Sequence, residues 1–114
     1  MGFLRNLFDA EYGLVRANLK AYHLARDAGE DHQSAVGRMI GSRYAAVAGG
    51  MDRIVMGQAV EILSTVISRK EQLRDIVWSM LMAEMKGSAS ISAFESNFEE
   101  VWAEMQKKYP RVVV

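Results

Sequence analysis

The chain has no cysteine, one proline, no excess of either charge and no long apolar run. Without cysteine there is no disulfide and no thiolate chemistry, and any metal would need histidine and carboxylate ligands. That absence fits a reducing compartment. The fourteen Lys and Arg balance the fourteen Asp and Glu. The balance is also local: residues 1–29 carry four basic and three acidic side chains, and residues 87–114 carry three and four. A protein that holds nucleic acid through phosphate contacts usually displays a basic stripe, and none stands out. The longest stretches without a charged residue run to eight, as in "IVWSMLMA" at 76–83, whereas a membrane-spanning helix needs about 20. The opening "MGFLRNLF" lacks the apolar core and cleavage site of a signal peptide. Asn6 breaks the myristoylation pattern. A cytoplasmic location is the expectation.

What remains is a chain of 114 residues, half of them hydrophobic and a quarter charged. That is the profile of one folded domain. With strand signals nearly absent, helix is the working assumption. Residues 1–109 read as a single helical domain and 110–114 as a C-terminal tail. Gly29, Gly49-Gly50 and "KGSAS" at 86–90 punctuate it.

The first helical piece starts near Phe3 or Asp9 and runs to Ala28. It places Leu4, Leu7, Phe8, Tyr12, Val15, Leu19 and Tyr22 on one side. The second, Asp31 to Ala48, aligns Val36, Ile40, Tyr44 and Val47, with Asp31 as N-cap and Gly49 as the C-terminal residue. The third opens at Asp52 and buries Val55, Met56, Ala59, Ile62, Leu63, Val66 and Ile67.

Its continuation reads two ways. "SRKE" at 68–71 has the form of a capping box that starts a new helix. Yet no Gly or Pro lies between Gly57 and Gly87, so one helix over 52–86 can also be written. The last piece carries a second box at Ser92 and Glu95. Its face is Phe94, Phe98, Val101, Trp102, Met105 and Tyr109, and its end charges suit the helix dipole. The fold expected is all-α: a bundle of four to five helices, its central helix long or kinked near residues 68–70.

Two surfaces point to association. Gly37, Gly41, Ala45 and Ala48 form a small-residue row along which another backbone can approach closer than the usual 8–10 Å. That contact lies either within the chain or across a two-fold interface. From Leu73 to Met85, one stripe (Leu73, Ile76, Val77, Met80, Leu81) is flanked by a second (Trp78, Met82, Met85). A helix apolar on more than one side needs more cover than a small domain supplies. Either the last helix covers it or a second copy does, and the reading taken is a homodimer. Gly37, Gly41, Ala45, Trp78, Met82 and Met85 are the expected interface.

Candidate chemistry is thin. His23, Asp27, Asp31 and His32 cluster around a helix end and are a weak set of metal ligands; solvated capping residues are the simpler account. No hydrolase, phosphate-loop, dinucleotide or zinc-protease motif occurs. No catalytic residue and no cofactor is called for. The expected function is a non-enzymatic helical interaction or assembly module. The alternatives are a DNA-binding protein offering Arg38, Arg43 and Tyr44, or a peripheral membrane protein using residues 1–8. Charge balance argues against nucleic acid. The N-terminal apolar residues fit the first helix's own stripe better than a lipid surface.

Overall fold

The computed structural model describes residues 9–44 and 68–114, with side chains described over 9–41 and 68–114. Every regular element among them is an α-helix. In chain order these are α1 (Ala10–Asp27), α2 (His32–Tyr44), α3 (Arg69–Glu84) and α4 (Ile91–Lys108).

Local chemistry sets the ends. The Asp9 carboxylate accepts from the Tyr12 amide at 3.1 Å, and Asp31 accepts from the Ser34 amide at 2.8 Å. Each satisfies an amide that its helix leaves free. α1 closes through Gly29 at φ +100°, which donates to Arg26 O, while Glu30 donates back to Ala25 O. This paired arrangement requires the left-handed conformation that glycine adopts without strain. α3 closes the same way, but the left-handed position falls on Lys86 at φ 52°. There a side chain costs roughly 1–2 kcal/mol.

At Ser68 the backbone is extended and the hydroxyl accepts from the Glu71 amide. α3 therefore begins at Arg69, at the break that the "SRKE" box marks. The long-helix reading depends on residues 52–67, which lie outside the described residues. The second capping site differs from expectation by two residues. Ser90, not Ser92, is the N-cap, accepting from Ala93 N.

The core gathers Tyr12, Val15, Leu19 and Tyr22 from α1, Val36 and Met39 from α2, and Leu73, Val77, Met80 and Leu81 from α3. Phe94, Phe98, Val101 and Met105 join from α4. Among the described residues α1 packs against all three other helices. The central element there is α1, rather than the helix carrying residues 73–85. The reason lies in its breadth: α1 also buries Asn18, His23 and Ala25, so more than its apolar stripe faces the protein.

Residues 110–114 do not fray. Val112 is 4% exposed and belongs to the core. Arg111 donates twice to Asp27, and Arg26 donates to Val113 O at 2.9 Å. This tail is fastened to the C-terminal end of α1.

Candidate functional site

The face expected to associate is half covered. Trp78, Met82 and Met85 sit at steps of four and three along α3, and all three are partly buried. Trp78 and Met85 pack on the core, with the Trp78 ring 5.0 Å from that of Phe94. α4 thus takes up part of Trp78 but does not seal this side. Beyond the turn, Ile91 at the start of α4 is 52% exposed.

The small-residue row is placed in part. Gly37 and Gly41 are half-buried; Ala45 and Ala48 lie outside the described residues. Among the described residues, nothing lies within 4 Å of where a Cβ at Gly41 would sit. Of the two contacts the row allows, the one within the chain is not made at this position by the described residues.

The four residues weighed as metal ligands are engaged separately. Asp27 pairs with Arg111 at 3.1 Å, and Asp31 caps α2. His23 is fully buried, its Nδ1 2.8 Å from Leu19 O and its Nε2 3.0 Å from Gln106 Nε2. His32 Nδ1 lies 2.9 Å from Tyr22 Oη, and its Nε2 lies 2.6 Å from Gln72 Oε1. Among the described residues no group of three His, Cys, Asp or Glu could hold a metal ion.

In their place stands a buried polar relay that sequence reasoning missed. Arg26 donates to Tyr22 Oη at 2.9 Å, Tyr22 Oη meets His32, and His32 meets Gln72, so the relay joins α1, α2 and α3. His23 joins α1 to α4, its ring edge-on to Trp102 at a centroid distance of 5.2 Å. On the outside, Arg16 holds Glu104 through two hydrogen bonds, at 3.2 and 2.7 Å.

Burial is the main force holding both imidazoles below the ordinary value of 6.5. For His23, the Leu19 carbonyl opposes it and Arg26 adds to it. For His32, Gln72 and Asp31 oppose it while Arg69 and Arg26 add to it. Below pH 6.5 the unfolded chain therefore binds protons that the folded chain refuses. Stability present above that pH is lost as pH falls, by up to about 1.4 kcal/mol per pH unit for each histidine. We expect the melting temperature to fall steadily from pH 7 to pH 5, as read by circular dichroism; a flat profile would contradict the neutral state of both rings.

Among the described residues no helix is long and apolar enough to cross a membrane. No family model, curated protein or solved structure matches this chain.

Proposed function

We propose that the chain is a non-enzymatic helical interaction module of the cytoplasm that pairs with a second copy of itself. The contact runs through Trp78, Met82 and Met85, extended by Ile91, with the Gly37–Gly41–Ala45 row as a second close-approach surface. The observation that supports it is the incomplete cover of three large apolar side chains on one side of α3. A two-fold contact needs only one such patch, because each copy supplies the same surface to the other. The balanced charge favours no oppositely charged partner. A stable pair buries about 800 Å² on each side; a few half-covered side chains supply less, so the pairing is of the concentration-dependent kind. For the DNA-binding alternative, Arg38 is already held by Glu30 at 3.0 Å.

Light scattering across a dilution series tests this. The wild type is expected to approach the mass of two chains at high concentration and one on dilution. Met82→Glu should hold it at one chain with an unchanged melting temperature, because that side chain is only partly covered. Gly41→Ala should raise the melting temperature by the equivalent of roughly 0.5–1 kcal/mol, from helix propensity gained in open space. Gly41→Leu should weaken pairing without loss of stability. A single-chain mass at every concentration, or full pairing in Met82→Glu, would overturn the proposal.

A further inference from the structure

We propose that His32 is a proton-operated latch. While neutral it ties the start of α2 to α1 and α3, and protonation releases α2 while the α1–α4 pairing stays closed.

The argument begins with donors and acceptors. The Gln72 oxygen only accepts, so His32 Nε2 must carry a hydrogen, and in the neutral ring Nδ1 is then an acceptor. Tyr22 Oη donates to it, while Arg26 donates to Tyr22 Oη. Each of these three bonds runs in one consistent direction. Were the Gln72 amide turned about, both bonds to the ring would reverse and the ring would still be neutral.

A second proton would sit on Nδ1 and face the Tyr22 oxygen. That hydroxyl would have to turn its own hydrogen away while still receiving one from Arg26. The cationic ring would be almost fully enclosed, at 4% exposure. The groups facing it are Tyr22 and Arg26 from α1, Gln72 and Arg69 from α3, and Asp31 next to it in the chain. Two guanidinium groups repel the new charge. The one carboxylate among them is exposed and committed to Ser34 N.

α2 is the element that gives way. His32 is its first residue, and a cation there opposes the helix dipole. α2 is also intrinsically weak, with Gly37 and Gly41 within it, each a poorer helix former than alanine. By contrast, α1 is tied to α4 by Arg16–Glu104 and to the segment after it by Arg111–Asp27. If His23 is protonated, its partner Gln106 can present its amide oxygen instead of its nitrogen, and that contact survives.

Hydrogen exchange provides the test. Protection of the Ala35, Val36 and Met39 amides is compared with that of Val101 and Met105 between pH 7 and pH 5, after correction for intrinsic exchange. Protection of the α2 amides is expected to fall by about tenfold per pH unit below pH 6.5 in the wild type, with the α4 amides remaining the better protected set throughout. In His32→Gln the α2 protection should not change with pH, whether that variant closes α2 or leaves it open, while α4 keeps the pH dependence that His23 gives it. The His32 ring, followed by NMR, should remain neutral below pH 6.5. An α2 protection independent of pH in the wild type, an α2 slope that persists in His32→Gln, α4 protection lost together with that of α2, or a ring that titrates at or above 6.5 would each overturn the latch.

Discussion

Phe98→Ala is expected to remove about 3–5 kcal/mol of folding stability, as for other enclosed aromatic truncations. Phe98 is fully buried and lies between Phe94, at 5.9 Å, and Trp102, stacked on it at 5.7 Å. The row continues to Trp78 at one end and His23 at the other. Removing the ring leaves a cavity and also breaks two aromatic contacts, each worth about 0.5–1.5 kcal/mol beyond area burial. A domain of this size has only about 5–15 kcal/mol in total. The melting temperature should fall by more than about 10 °C. Phe98→Leu, which restores most of the volume, should cost less than half as much. An Ala variant within about 1 kcal/mol of wild type would mean that α4 does not dock through this face.

The second large effect falls on Tyr22, where the apolar stripe of α1 meets the polar relay. Its ring is enclosed and its hydroxyl receives from Arg26 while contacting His32. Tyr22→Ala should cost about 3–5 kcal/mol, with the cavity dominating. Tyr22→Phe isolates the hydroxyl. It keeps the packing but leaves His32 Nδ1 buried without its donor, at a cost of about 1–3 kcal/mol. Denaturant unfolding of both variants separates the two parts. If Tyr22→Phe is as stable as wild type, the relay contributes nothing to the fold.

Periodicity made α4 the most legible element, because one face at helical spacing is buried almost as written: Phe94, Phe98, Val101, Met105 and Tyr109. Its start was less certain because "SASIS" offers three serines, each able to cap. Only the geometry selects Ser90, leaving Ser92 in the first turn with its hydroxyl 3.2 Å from that of Ser90. The α1 stripe was legible from Tyr12 to Tyr22 for the same reason.

The polar relay was not legible. His32 and Gln72 are forty positions apart, and hydropathy patterns assign polar side chains to solvent rather than to one another. Beside Asp31, His32 reads as a capping residue, yet its ring turns inward. The docking of the tail was not legible because "RVVV" has no period to analyse. Its docking depends on the turn after α4, where Val112 N reaches Tyr109 O. Of the expected interface, Trp78, Met82 and Met85 could be located by spacing alone. How far each is covered depended on α4, which spacing does not position.

The central position of α1 has a consequence for the order of assembly. Its pairing with α2 spans a short turn, so that hairpin can close early, while its contacts with α4 join residues 83 and 88 positions apart. Contacts between distant segments carry the larger closure entropy and are slow to form. On an emerging nascent chain, the flank of α1 bearing Arg16 and His23 must stay bare until α4 is synthesised. The hydrophobic surface around it is then accessible to chaperones, or to misassembly with neighbouring copies, until α4 emerges.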